Sequence, residues 1–349
     1  MVGWCVPAVD AAPSSDEPFV VAQAQEVDRE PPAEESLRAH ELVQAIKLRA
    51  QREIARRRVK KWSVSHLATW TVGNESNPGL LKQRSSAVFT KEYLSTTLNY
   101  RFLTPLTGQF RYSFEANNYN EATDLSTVTN TLMTKLTYRL AKPLTCETHY
   151  TFNDINYPYD DGSSTWEQSV HMRLRHSFLQ NAYHYTGWTW LYKQYQDKLK
   201  RDGSGTRVAG KLRKDDRHTV HYEIGGTIAK QNRLALLQEV YFHDSNEAFQ
   251  DFNDAQDYKV KLSVNRDWTE HWKSASSFTY ELKRYERRNV TERGVAQQDY
   301  TKTYQQGVTY KLNNTFDLAY TWTYKKNDSN DTAQAYQDIT NSLALTAAF

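Results

Sequence analysis

The chain has 349 residues, a formal net charge of +3 and two cysteines, too few for a disulfide scaffold of this length. Aromatic residues make up 13% of the chain although its mean hydropathy is −0.79, so much of its apolar surface is carried by amphipathic rings. No apolar run approaches the roughly 18–20 residues of a membrane-spanning helix, which argues against a helical membrane protein. The small charge gives no reason to expect a nucleic-acid partner.

The N-terminal part of the chain differs in character from the rest. Residues 1–35 are rich in proline and acidic side chains and lack periodicity, which predicts a disordered leader, and residues 1–12 are compatible with the remnant of an export signal. Residues 36–61 repeat apolar side chains at helical spacing between acidic and basic ends, which predicts one basic amphipathic helix. Two interpretations of this helix stay open, a periplasmic docking arm or plug and a solvated leader helix.

From Trp62 to the C-terminus the apolar pattern has a period of two. Phe316, Leu318 and Tyr320, for example, alternate with small or polar neighbours. Such alternation is typical of strands with one apolar and one wet face. It predicts fourteen strands, near residues 62–73, 90–103, 109–119, 127–140, 145–155, 165–178, 183–194, 217–230, 234–243, 257–267, 271–285, 299–312, 316–325 and 336–349.

The connections between these strands alternate in length. Short turns such as 105–108 follow the even-numbered strands, and longer polar loops follow the odd-numbered ones, as expected of an up-and-down barrel whose rims face different compartments. Side chains cannot fill so wide a lumen, so charges should face water inside while apolar faces contact lipid. The predicted fold is all-β, a 14-stranded antiparallel up-and-down transmembrane β-barrel over 62–349 with an N-terminal periplasmic helix. A soluble β-sandwich or β-solenoid is the competing fold.

The last eleven residues, Ile339 to Phe349, form an alternating segment that ends on phenylalanine. This segment resembles the final strand of bacterial outer-membrane β-barrel proteins, and the pattern of 62–349 resembles their porin-like barrels. Among these proteins it is similar to the barrel of surface lipoprotein assembly modifiers. The resemblance implies a place in the bacterial outer membrane with a periplasmic N-terminus. It also implies contact with outer-membrane lipid, and recognition of the strand ending at Phe349 by the barrel assembly machinery.

The predicted wet faces carry many charges. The candidate pore-lining residues are Arg101, Arg111, Glu115, Lys135, Arg139, Arg173, Arg175, Glu223, Lys259, Lys261, Glu281, Lys283, Lys311 and Asp317. The same faces also carry Glu147, Glu167, Glu239, Asp267, Lys273 and Lys325. Together they hold twelve basic and eight acidic groups, which predicts a weak preference for anions if the lumen is open. The same charges would seal the lumen if they paired across it.

Two connections have unusual charge. Residues 195–216 are strongly basic and are predicted to be the longest connection, either a constriction at the mouth or a solvated loop. The segment from Asp244 to Asp257 is acidic but lacks the ligand spacing of a calcium loop, so a solvated acidic loop is expected.

The expected function is that of a channel. His149, His171, His221 and His243 should face the lumen, but no hydrolase, zinc or phosphate-loop motif accompanies them, so we expect no enzyme, cofactor or metal. A porin-like channel for small, weakly anion-preferring solutes is the first hypothesis. The alternative is a translocation or assembly barrel that exports a protein or lipoprotein, with the helix of 36–61 binding a periplasmic partner. A structural or adhesive surface barrel is the third.

Overall fold

The computed structural model describes residues 61–78, 86–160, 162–229, 231–247, 254–290 and 294–349. The predicted leader, and the predicted helix up to its last residue, lie outside this part of the chain. Helices long and apolar enough to cross a membrane are absent from these residues.

The described residues form an antiparallel sheet of fourteen strands. The strands are β1 (Trp62–Glu75), β2 (Ala87–Leu103), β3 (Leu106–Tyr119), β4 (Thr127–Ala141), β5 (Leu144–Asn156), β6 (Thr165–Leu179), β7 (Ala182–Arg201), β8 (Arg207–Ile228), β9 (Asn232–Ser245), β10 (Ala255–Asp267), β11 (Trp272–Asn289), β12 (Ala296–Lys311), β13 (Phe316–Ser329) and β14 (Tyr336–Ala348). Each strand pairs with its neighbours in sequence, and β14 pairs with β1. The predicted 14-stranded up-and-down barrel is therefore confirmed, and the competing sandwich is excluded.

Closure of the barrel depends on the pairing of the first and last strands. Their register runs from Leu67 opposite Ala348 to Glu75 opposite Thr340. Beyond it, the backbone amide of His66 donates to the carbonyl of Phe349 at 2.7 Å, and the amide of Phe349 donates back at 3.1 Å. A closed ladder leaves no unpaired sheet edge, which is the condition for placing strands in hydrocarbon.

The two faces of the sheet have opposite chemistry. Apolar side chains such as Leu94, Leu262 and Leu343 are 45–55% exposed on the outer face. Their neighbours along the strands, Lys261 for example, point to the lumen. Because an exposed apolar surface that encircles a closed barrel needs an apolar solvent, the outer face is a lipid-contacting belt.

Tryptophan rings mark one edge of this belt. Trp62, Trp268 and Trp272 lie at strand ends or turns and are 47–59% exposed, and Trp272 packs on Tyr310 with ring centroids 4.6 Å apart. Amphipathic rings favour the headgroup level of a bilayer. The short turns and the ends of β1 and β14 share this rim, which is the periplasmic rim in the predicted orientation.

One predicted boundary is wrong. Residues 195–216 are not the longest connection, because β7 continues to Arg201 and β8 begins at Arg207. The two strands pair through Leu199 opposite Leu212, and only residues 202–206 connect them. We call residues 196–214 the β7–β8 hairpin. The mixed and strongly basic composition of this segment hid its strand pairing.

The turn of the β7–β8 hairpin is organised by one carboxylate. Asp202 Oδ1 accepts hydrogen bonds from the amides of Ser204 at 2.9 Å and Thr206 at 3.0 Å, and from the Ser204 hydroxyl at 2.6 Å. The Ser204 hydroxyl and the Thr206 amide lower the pKa of Asp202, because they stabilise its charged form. Gly205 has a φ of +86°, which favours glycine in this tight turn.

Because neighbouring residues face opposite sides of the sheet, the same substitution should change the free energy of unfolding very differently at two adjacent positions. Leu262→Arg places a charge in the lipid belt and should lower the free energy of unfolding by about 2–4 kcal/mol. Ser263→Arg is the matched control. Position 263 faces the lumen, so this variant should lose far less unfolding free energy. Equilibrium unfolding from lipid vesicles in denaturant measures both. Equal losses at the two positions would contradict the assignment of the faces.

Candidate functional site

Strand register aligns charged lumen-facing side chains in a row across half the barrel. On β5 to β11 this row, which we call the central row, consists of Glu147, Arg173, Gly187, His221, Glu239, Lys259 and Glu281. Acidic and basic groups alternate along it except at Gly187 and His221. Pairs of opposite charges on neighbouring strands stabilise the sheet and restrict the positions of both side chains.

Glu147 forms the first cluster of the central row. Its carboxylate accepts a hydrogen bond from Arg173 Nε at 2.7 Å, while Lys135 Nζ lies 3.1 Å and His149 Nε2 3.5 Å from the same oxygen. The residue is only 7% exposed, although it faces the lumen. A carboxylate buried this far needs such partners, and they hold Arg173 and Lys135 against the wall.

The middle of the central row contains a glycine, Gly187, whose lack of a side chain leaves room for a neighbouring ring. A Cβ on Gly187 would lie 2.2 Å from His221 Nε2, so the His221 ring occupies the space above that glycine. From there it stacks on His171, with ring centroids 4.9 Å apart and planes 4° from parallel. His171 in turn lies 5.0 Å from the His149 ring and contacts the Thr189 hydroxyl at 2.7 Å. Gly187 thus lets a histidine of β8 reach across β7 to β6.

The third cluster of the row lies on β9 and β10. Lys259 Nζ is 2.6 Å from Glu239 Oε2 and 3.0 Å from the Tyr241 hydroxyl, which also donates a hydrogen bond to Glu239. Lys261 follows on the same face of β10 and has no ion pair within the described part of the chain. One cation of this cluster is therefore neutralised and the next is free to attract anions.

Tyrosine rings contact cations on the short-turn side of the central row. The guanidinium of Arg173 lies 5.1 Å from the Tyr185 ring centre, and that of Arg175 lies 4.4 Å from Tyr183. The two tyrosine hydroxyls donate to the two oxygens of Glu223 at 2.7 and 2.8 Å. Cation–π contacts and charged hydrogen bonds together restrict these side chains to the wall.

The opposite wall is mostly neutral at mid-height. Thr321 on β13, Ser342 on β14 and Gly73 on β1 follow one another in register. Thr69 and Thr346 lie four residues further along β1 and β14, and their hydroxyl oxygens are 3.1 Å apart. This row of the opposite wall therefore carries small and hydroxyl-bearing residues where the central row carries charges.

Ion pairs of the lumen run along the wall. Lys91 of β2 pairs with Glu115 of β3 at 2.8 Å, and Lys193 of β7 pairs with Glu167 of β6 at 3.2 Å. Across the described ranges, the ion pairs of the lining join neighbouring strands, and none joins opposite walls. Of the two predicted states of the lumen, this geometry favours the open one.

The other predicted pore-lining residues have varied surroundings. Arg111 contacts the Met133 sulfur at 3.5 Å, and Lys283 lies 4.8 Å from the Tyr285 ring centre. Lys311 is opposite Asp317 in register, without an ion pair between them in the described structure. Arg101 and Arg139 lie near the short-turn ends of β2 and β4, and Glu281 ends the central row. The pore-lining assignment as a whole stays a prediction.

The expected solvated acidic loop is wrong for its described residues. Glu247, Asp254 and Asp257 are 5–8% exposed. Asp257 contacts His243 Nε2 at 2.9 Å, and Glu247 lies 3.5 Å from Arg213. These basic partners offset the cost of burying the carboxylates. Clusters of three or more potential metal ligands are absent from the residues that the structure describes.

Sequence reasoning missed the inward tyrosines and the role of Gly187. Tyr183 and Tyr185 were not separated from the belt aromatics, because β7 carries large rings on both faces. The sequence did contain a signal that separates them. Trp188 and Trp190 stand at even-numbered positions of β7, whereas Tyr183 and Tyr185 stand at odd-numbered positions and so face the other side of the sheet. Gly187 gave no signal, because its space is occupied by His221 from another strand.

Comparisons with known proteins show a shared fold at low sequence identity. The outer membrane channel DcaP of Acinetobacter baumannii matches with a TM-score of 0.50 and 7% identity, over 82% of this chain and 97% of that chain. Outer-membrane-expressed OmpT of Vibrio cholerae matches with a TM-score of 0.49 and 9% identity, over 84% and 99%. An anion-selective porin from Comamonas acidovorans reaches 0.45 at 8% identity, over 82% and 99%. No protein-family model and no curated protein matches the chain.

The chain thus has the fold of bacterial outer-membrane β-barrels, as its final strand led us to expect. The match to DcaP carries this conclusion for the fold alone. The lipid-contacting belt and the closed ladder supply the physical reason to place the barrel in a membrane. The expected location, the bacterial outer membrane, agrees with both.

The packing at Gly187 gives a specific prediction. Gly187→Ala should expel His221 from its stack on His171 and lower the free energy of unfolding by about 1–3 kcal/mol, because the new methyl group overfills the site. Gly307→Ala is the control, since a Cβ there meets its nearest atom, Thr321 Oγ1, at 3.6 Å. Denaturant unfolding of the two variants provides the comparison. If Gly307→Ala lost as much stability as Gly187→Ala, the histidine stack would not be the reason.

Proposed function

We propose that the protein is an outer-membrane channel through which small polar solutes diffuse. The observation that carries this proposal is the charged wall inside a closed barrel, with ion pairs that join neighbouring strands. A lumen whose charges pair along the wall retains space and water between its walls. A barrel with a purely structural role has no need of the cations and carboxylates ordered along the central row.

The channel should weakly prefer anions. Glu147 and Glu239 are closely paired with cations, so they contribute little negative potential to the lumen. Lys261 has no ion pair among the described residues, and Arg217 rests on the Tyr241 ring at 5.4 Å. With twelve basic and eight acidic groups on the predicted lumen faces, the wall keeps a positive excess, which raises the local concentration of anions.

The alternative function, export of a protein or lipoprotein, stays a prediction. It depends on the helix predicted for 36–61 and on its periplasmic partner. Of that segment, only Lys61 belongs to the described residues. Recognition of the strand ending at Phe349 by the barrel assembly machinery is likewise part of the proposal. We also expect no enzymatic activity, because no hydrolase, zinc-ligand or phosphate-loop motif in the sequence accompanies the lumen histidines.

Conductance in planar lipid bilayers tests the channel. The full chain should give steady single-channel steps, with a reversal potential in a salt gradient that reports a modest excess of anion over cation flux. Absence of steps from a correctly folded barrel would contradict the proposed channel. Steps that favour cations would retain the channel but overturn its selectivity.

One substitution tests the source of the selectivity. Lys261→Glu should shift the reversal potential towards cations, because it places an anion where the described structure has a lumen cation without an ion pair. Lys302→Glu changes the total charge equally, but Lys302 has outward parity on β12 and already lies 3.7 Å from Asp328. The control should leave the reversal potential close to that of the unmodified protein. Equal shifts in both variants would show that net charge, and not the lumen wall, sets selectivity.

A further inference from the structure

The β7–β8 hairpin rises above the neighbouring strands. The last partner of β7 on β6 is Thr165 opposite Tyr195, and the last partner of β8 on β9 is Asp215 opposite Ser245. The amide of Gln196 adds one more bond, to Ser164. On the β9 side, Asn246 bonds to the backbone of Lys214 and Leu212, and beyond it the two strands of the hairpin pair with each other. The hairpin therefore projects from the long-loop rim, which is extracellular in the predicted orientation.

The hairpin is strongly basic. Residues 196–214 contain seven basic side chains and two acidic ones, Asp197 and Asp202. The seven are Lys198, Lys200, Arg201, Arg207, Lys211, Arg213 and Lys214. Arg213 is buried against Asp215 and Glu247, and Arg201 is 3.8 Å from Glu247, so these two are locally compensated.

The remaining cations include an exposed set on β8. Arg207, Lys211 and Lys214 are exposed and have no ion pair within the described ranges. We call these three residues the hairpin cations. These three cations lie within eight residues of β8, and because no carboxylate pairs with them in the described ranges, their positive potential favours the approach of an external anion.

The position of Lys214 shows which anion is within reach. Its Nζ lies 6.0 Å from the ring centre of Tyr192, a residue on the lipid-facing side of β7. On the same side, Trp190 Nε1 donates to Asp216 at 3.0 Å. Such rings lie at the headgroup level of a membrane. Lys214 therefore lies beside the aromatic edge of the lipid-contacting belt, where its side chain is within reach of a lipid phosphate.

We propose that the hairpin cations bind phosphorylated headgroups of lipids in the outer leaflet. Charge complementarity and the position of Lys214 beside Tyr192 favour a lipid over a soluble polyanion, because only a lipid places its phosphate next to the aromatic edge of the belt. Clusters of lysine and arginine near a membrane surface gain affinity for anionic lipids with each added cation. The lipid would in turn anchor the hairpin beside the channel mouth.

Binding of diphosphoryl lipid A to the full-length folded barrel in zwitterionic detergent tests this proposal. The unmodified protein should bind diphosphoryl lipid A more tightly than the fully dephosphorylated lipid, and added salt should weaken the binding. Lys211→Gln/Lys214→Gln should weaken the binding by at least about tenfold. Lys61→Gln/Lys142→Gln removes the same charge at the short-turn rim and should bind like the unmodified protein.

Each other result overturns the proposal. Equal binding of phosphorylated and dephosphorylated lipid would show that acyl chains alone are recognised. Equal losses in the two double variants would show that net charge decides. Complete competition by inorganic phosphate at low millimolar concentration would show a site for free anions. Heat-modifiable migration in unboiled gels verifies that each variant is folded before binding is measured.

Discussion

The hydrogen bonds of the backbone are the constraint on which this structure depends. Within hydrocarbon, an unpaired amide or carbonyl costs several kcal/mol, so strands can cross a bilayer only as a closed ladder. Pairing of β1 with β14, continued by His66 and Phe349, meets that requirement. Closure in turn fixes which side chains face lipid and which face water, because successive residues of a strand point to opposite faces.

The interior shows how charges are accommodated once closure has placed them inside. Glu147 gathers Arg173, Lys135 and His149, and Glu239 gathers Lys259 and Tyr241, so each buried carboxylate is compensated by its neighbours on the wall. These ion pairs form between adjacent strands, and none of those in the described structure crosses the lumen. The same principle explains the buried Glu247 and Asp257 near the long-loop rim, where Arg213 and His243 are the partners.

The sequence predicted the architecture well because period-two patterning is a local signal. Alternation around Phe316 or Leu262 identified strands and faces without any knowledge of pairing. It failed for the extensions of β7 and β8, where Lys200 and Lys211 obscure the pattern outside the lipid belt. The partners of Glu147 and the stack of His171 on His221 could not be predicted, since both depend on the register between strands. Lys261 illustrates the limit: its charge was predictable, whereas its lack of an ion pair among the described residues was not.

The most direct measurement is the accessibility of two adjacent positions in a reconstituted membrane. In a background with Cys5→Ser and Cys146→Ser, Lys261→Cys and Leu262→Cys place single thiols on the two faces of β10. A charged, membrane-impermeant maleimide should modify the thiol at 261 through the aqueous lumen and leave the thiol at 262 unreacted in lipid. Rapid reaction at 262 together with protection at 261 would contradict the assignment of an apolar exterior and a water-filled interior.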